Sequence, residues 1–320
     1  MTDRPFDPLI SRLTGCVAAP SAAATFVAVL LAGCGSGATP PPTPTTTLPA
    51  PSPSPLGGAW SSDFASDDGH WETMARSGGR VDFGVADPRG SDGAVASLLF
   101  RGDPSLAGSQ RVGPGFATEI DSRRQFLYGT FRTRLRLANC RSNEDVVNGI
   151  FTYFNDGSDG NGNGIADNSE IDIEILCSTP SVISLSTWTD YQASPERFLK
   201  WTRTVDLATG QIAESPSDHE YGLVPFGRDP RLAHPGFPDP DEYYEMGFDW
   251  QASRLRFFIV LDGGEVTLWD DTDARYIPQR PAAWLFNVWH PDSHWFGPGG
   301  RADFPSSDAE MRLDWARYEP

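Results

Sequence analysis

Glu170-Ile171-Asp172-Ile173-Glu174-Ile175-Leu176 alternates acidic and aliphatic side chains with a period of two. That period marks a β-strand, because successive side chains leave a pleated strand on opposite faces. One face is all carboxylate and the other all aliphatic, so the aliphatic face should lie on a core. Three like charges on one face repel, and a surface strand ordinarily disperses them among cations. A solvated edge strand is the plain alternative; keeping all three points to use. The Cα atoms of Glu170 and Glu174 are roughly 13 Å apart on an extended strand, and their side chains can lean together over Asp172. A shared acidic neighbourhood separates carboxyl pKa values, leaving one group ionised and another protonated.

Working outward, Gly149 to Phe154 reads as the antiparallel partner of this strand. Between the two lies Asp159-Gly160-Asn161-Gly162-Asn163-Gly164-Ile165-Ala166-Asp167. Oxygen-bearing residues at alternate positions, with Gly for the turn, fit a calcium loop using Asp159, Asn161, Asn163 and Asp167. A plain Asn/Gly hairpin turn fits equally. An EF-hand that consumed Glu170 as its twelfth-position ligand would need helical flanks, and these flanks are strand-like. Cys140 precedes one strand and Cys177 follows the other, so a hairpin brings them to one end and a disulfide is expected; two buried thiols are the alternative. In the next strand Ser184, Ser186 and Trp188 share a face. If that face is a cleft, Trp188 is a stacking platform for a sugar ring; core packing is the bland reading.

The rest of the chain from Trp60 is short alternating runs cut by Gly, Asp and Pro. Examples are Gly93 to Phe100, Ala117 to Ile120, Gly129 to Leu137, Tyr243 to Trp250, Arg254 to Leu261, Val266 to Trp269, Ala283 to Trp289 and Glu310 to Tyr318. No long window has a helical period. The expected fold class is all-β, a sandwich of two antiparallel sheets. Residues 206–242, rich in Pro, Asp and Gly, read as a long loop region. The net charge of −18 excludes the basic footprint of a nucleic-acid binder. Ten Trp and little Lys suit a neutral polyhydroxylated ligand, with core packing as the competing use of the rings. His290 and His294, beside Trp289 and Trp295, lack a carboxylate cluster of metal-ligand spacing and read as rim residues.

Glu170-Ile171-Asp172-Ile173-Glu174 resembles the Glu-x-Asp-x-Glu signature of glycoside hydrolase family 16, the β-glucanase family of lichenases and laminarinases. Ala117 to Ser122 followed by Phe126 to Phe131, Tyr244 to Trp250 with Leu255 to Phe258, Phe286-Asn287-Val288-Trp289, and Leu313 to Tyr318 resemble further family patterns, in order. The resemblance implies a concanavalin A-like jelly roll and a retaining two-carboxylate mechanism, for which the carboxyls stand about 5–5.5 Å apart. It casts Glu170 as nucleophile, Asp172 as its assistant and Glu174 as acid/base. Glu119, Asn287 and Trp289 fall where sugar-binding residues stand. Asp121 departs from the Arg or Ser common in the family. The single residue between Asp172 and Glu174 resembles lichenases more than laminarinases or agarases. The implied substrate is a β-linked polysaccharide, β-1,3-1,4- or β-1,3-glucan, and the chemistry requires no cofactor. A transglycosylase and a non-catalytic glycan-binding lipoprotein are the alternatives.

Residues 1–33 read as an export signal, with Arg4 and Arg12 before an apolar run from Ala22 to Ala32 too short to span a bilayer. Leu31-Ala32-Gly33-Cys34 resembles the lipobox of bacterial lipoproteins, which implies lipidation of Cys34. After Cys34, residues 35–57 are Gly, Pro, Thr and Ser with almost nothing apolar, unable to bury a core, and form a tether. The expected layout is a signal (1–33), a linker (34–57) and one catalytic domain (58–320). That domain would act as a monomer in the bacterial cell envelope, anchored to a membrane.

Overall fold

A computed structural model describes residues 58–107, 117–141, 144–217, 222–291 and 303–320. The expected signal peptide, Cys34, the linker, His294 and Trp295 lie outside the described residues.

Strand is the dominant regular structure of the described chain, with only two short 3-10 turns beside it. In order the strands are β1 (Trp60–Ser62), β2 (Trp71–Ala75), β3 (Arg80–Ala86), β4 (Ala94–Phe100), β5 (Ala117–Phe126), β6 (Gly129–Arg136), β7 (Val147–Tyr153), β8 (Asp167–Leu176) and β9 (Val182–Ala193). There follow β10 (Glu196–Asp206), β11 (Gln211–Ser217), β12 (Val224–Arg228), β13 (Tyr244–Gln251), β14 (Arg254–Leu261), β15 (Gly264–Asp271), β16 (Ala282–Trp289) and β17 (Ala309–Glu319). They form two antiparallel sheets packed as a jelly-roll sandwich. One has eight strands, β15-β14-β13-β6-β17-β4-β3 with β1 on β17; the other has nine, β12-β11-β10-β9-β8-β7-β16-β5-β2.

Alternation sets which way each strand faces. Ile171, Ile173 and Ile175 of β8 are fully buried between the sheets. They join a core of large rings: Phe131 stacks on Phe248 at 4.7 Å, and Trp284 and Tyr318 meet Phe131 edge-on. Trp71, Trp250, Trp269 and Trp284 are all buried there, so packing accounts for much of the Trp count. Burying such rings removes on the order of 150–250 Å² each from water and dominates a core of this kind. Between β14 and β15, Asp262 and Gly263 both have positive φ (52° and 76°). Two successive left-handed residues make the primed two-residue hairpin turn whose twist matches the flanking strands.

Residues 206–242 differ from the loop reading. They contain β11 and β12, which continue the nine-stranded sheet outward from β10 to its edge. The edge strand is β12, short, exposed along its length and carrying Pro225, which an edge position tolerates. An exposed strand that pairs on one side needs little hydrophobic periodicity, so the pattern hides β12. The expected disulfide is present: Cys140 and Cys177 are bonded, with Cα atoms 5.5 Å apart.

Candidate active site

The outer face of the nine-stranded sheet carries the site, because each β8 carboxylate faces opposite to the buried isoleucines. Register aligns it in rows across the strands. Glu174 lies between Ser184 of β9 and Gly149 of β7; Gly149 is opposite Asn287 of β16, and Asn287 opposite Glu119 of β5. The next row runs Ser186, Asp172, Phe151, Leu285, Asp121. The third begins Lys200, Trp188, Glu170. Residues 119, 170, 172, 174, 188 and 287, spread over 169 positions of sequence, thus share one face. The face is recessed: Asp172 is 4 % exposed, Glu119 6 % and Asn287 1 %.

The three β8 carboxyls have different surroundings. Glu170 accepts a hydrogen bond from Asn168 Nδ2 at 2.8 Å. Asn168 is itself oriented, since its Oδ1 accepts from Asn155 Nδ2 at 3.2 Å. Asp172 accepts from the indole N–H of Trp188 at 3.1 Å. Burial first, and then the charges of Glu170 and Glu174, push its pKa well above the usual carboxylate range. Burial and then Glu170 push Glu174 up to about 8, against the pull of Lys200 and a hydrogen bond from Trp289. At neutral pH Glu174 therefore holds its proton. One strand thus presents a carboxyl with an amide donor and, four residues on, a carboxylic acid, the division of labour that acid/base chemistry requires.

Glu119 is raised to about 8 by burial and by neighbouring Asp121. Its Oε2 accepts from Asn287 Nδ2 at 2.9 Å. Gly149 leaves the space for that amide, since a Cβ there would stand 2.2 Å from Asn287 Oδ1. Trp289 packs with Ala117, Val147 and Leu176 in a small apolar cluster apart from the main core. Trp188 presents a ring, but Lys200 Nζ sits 4.1 Å from the centre of its face, and Tyr191 and Phe198 meet it edge-on. Here it holds a cation and donates to Asp172.

The Asn/Gly loop satisfies its own oxygens. Asp159 accepts backbone N–H bonds from Gly162, Asn163 and Gly164 at 2.7, 3.1 and 2.8 Å. Asn161 and Asn163 each donate their side-chain amide to Asp190 at 2.9 Å. Asp167 accepts from Gly160 N at 3.1 Å and faces Arg280 at 3.5 Å. Among the described residues no group of three His, Cys, Asp or Glu side chains is placed to hold a metal ion. His290 is buried, and burial holds its pKa down at about 4.

Lys200 and Gly149 belong to the site and are not evident from the sequence. Lys200 shares parity with Thr202 and Thr204 in a strand whose partner and register the pattern does not reveal. Gly149 reads as a weak point in a strand until Asn287 is seen above it.

The arrangement defines a class: an antiparallel jelly-roll sandwich with a recessed carboxylate row on the outer face of one sheet. No family model and no curated protein matches the chain. In structure it is similar to a β-1,3-1,4-glucanase (lichenase) derived from a mouse hindgut metagenome, with TM-score 0.48 and 18 % identity over 82 % of this chain and 100 % of that one. It is similar to the Bacillus licheniformis β-glucanase, with TM-score 0.46 and 17 % identity over 82 % and 99 %. A κ-carrageenase from Pseudoalteromonas carrageenovora has TM-score 0.48 and 13 % identity over 86 % and 98 %.

Proposed function

We propose that the chain is an exported, lipid-anchored retaining endo-glycosidase that hydrolyses β-linked polysaccharide, β-1,3-1,4- or β-1,3-glucan, by double displacement. The observation that carries this reading is the graded set of carboxyls on β8: Glu170 under an amide donor, Glu174 protonated to about 8, Asp172 between them. Glu170 attacks the anomeric carbon while Glu174 gives its proton to the leaving oxygen, so a glycosyl ester forms on Glu170. Glu174, now ionised, takes a proton from water, which opens the ester and restores both groups. Asp172 lies beside the nucleophile and sets its charge through the Trp188 hydrogen bond. Glu119, Asn287 and Trp289 extend the same face as sugar contacts.

The apolar run before Cys34 supports lipidation there and placement in the bacterial cell envelope, and the Cys140–Cys177 bridge suits an oxidising compartment. Calcium in the Asp159–Asp167 loop is a separate proposal. It requires the ion to displace the backbone donors on Asp159, and a calcium-dependent rise in melting temperature, absent in Asp159→Ala, is its test.

Reducing-end release from barley β-glucan, laminarin, xyloglucan and agarose tests the main reading, with Glu170→Gln and Glu174→Gln run alongside. Turnover of one glucan, lost in both variants, supports it. Products longer than the substrate make the protein a transglycosylase. Binding without turnover makes it a non-catalytic glycan-binding protein, and activity that survives Glu170→Gln rules out the assigned nucleophile.

A further inference from the structure

Of the 25 lysines and arginines in this chain, Lys200 is the only lysine. The other ion pairs of the described residues that use a long cation use arginine, as in Arg132 with Glu245 and Glu265, or Arg254 with Asp270. Lys200 stands directly opposite Trp188, which stands directly opposite Glu170. Its ammonium lies on the ring face of Trp188, 4.1 Å from the centre. The N–H edge of the same ring reaches into the neighbouring row and donates to Asp172 at 3.1 Å. The ring is wedged by Tyr191 and Phe198, with centroids at 6.1 and 5.6 Å. One rigid plate therefore carries a cation on its face and a carboxylate at its edge.

We propose that Lys200, seated on Trp188, is the positioning cation of the carboxylate trio, lowering the charge of Glu170, Asp172 and Glu174 enough for one of them to stay ionised beside the others. The inference rests on the glycosidase reading for its purpose, but the charge coupling stands apart from it. Three carboxylates on one strand face cannot all ionise, since like charges at this range disfavour the charged form. A compact ammonium on a flexible stem offsets them as a point charge. The attraction is mutual. All three carboxylates pull the lysine pKa up, yet burial outweighs them and brings it down to about 8. Lys200 in turn pulls Asp172 and Glu174 down. Among the described residues the charges that act on it are these three from β8, and β11, on its other side, places the uncharged Ser217 opposite it. From β9 it meets the uncharged indole, and Arg275, on the 3-10 turn packed against β10, is engaged with Asp273.

The test is carboxyl-labelled NMR titration of the full chain as wild type, Lys200→Met and Lys200→Arg. Lys200→Met is expected to raise the Asp172 and Glu174 titrations by roughly one pH unit or more, the size of effect an adjacent opposite charge exerts. Lys200→Arg should return at least half of that shift. Titrations unmoved in folded Lys200→Met overturn the proposal. A lone lysine also gives one ε-carbon signal in the unsubstituted chain, so the coupling is readable without touching Lys200. Glu174→Gln should lower the Lys200 titration, and an unchanged one overturns the proposal even if Lys200→Met does not fold. Where a glucan is turned over, Lys200→Met should move both limbs of the pH–rate profile upward. If none is turned over at any pH, the glycosidase reading fails while the NMR shifts still decide the role of Lys200.

Discussion

Gly149→Ala is a one-carbon change with a consequence two strands away. Gly149 lies outside the left-handed region, so its backbone accepts any residue and only space is at issue. The new Cβ would stand 2.2 Å from Asn287 Oδ1, where real contacts stop near 3.0 Å. Asn287 is 1 % exposed, so its amide cannot retreat into solvent. Turning it aside breaks the 2.9 Å bond to Glu119, whose carboxyl is 6 % exposed. Leaving a buried polar group without its partner costs about 1–3 kcal/mol. Each kcal/mol lowers the melting temperature by roughly 2–4 °C in a domain approaching this size. Calorimetry of Gly149→Ala, Asn287→Ala and the double variant measures this. Asn287→Ala removes the group that Gly149→Ala collides with, so the double variant should cost little more than Asn287→Ala alone. Costs that simply add, or a Gly149→Ala melt within about 0.5 kcal/mol of wild type, the range of an ordinary surface change, would refute the packing argument.

Glu174 binds its proton up to about 8 when folded, against an ordinary value of 4.5. Between those pH values the folded chain holds a proton that the unfolded chain has released, so stability falls as pH rises through the window. Glu174→Gln should flatten the difference in urea midpoint between pH 5 and pH 8, and an undiminished difference would show that other groups carry it. Replacing Cys140 and Cys177 by Ala opens a closure spanning 37 residues, worth about 3–4 kcal/mol on loop-entropy grounds, read as a lower melting temperature. Reduction of the wild-type bond should give the same loss.

The sequence made β8 legible because its two faces differ in the strongest way available, carboxylate against isoleucine, and a period of two needs only local reading. The disulfide followed from the hairpin, since two strands joined by a turn must end together. Strands whose pairing partner is distant were harder. The β10 segment Glu196–Asp206 mixes Lys, Arg and Thr with Phe, Leu and Trp, and nothing local says that Lys200 will stand opposite Trp188. The bulge between Leu199 and Lys200 shifts the register there, so even a correct strand assignment would have misaligned the pair.

Trp188 shows why such gaps matter for function. Alternation places it correctly on the face of the carboxylates, and an aromatic ring on a polar face is reasonably read as a platform for sugar. What the ring does depends on what lies above it, and that is decided by a residue twelve positions on, across a bulge. With Lys200 on its face and Asp172 at its edge, the ring joins a cation to a carboxyl and fixes the distance between them. The same alternation that exposes three carboxylates on β8 leaves their counter-charge to come from another strand, and the chain's one lysine stands two strands away, across β9. The charge balance of the site is written across β8, β9 and β10 together, and no single strand of it can be read alone.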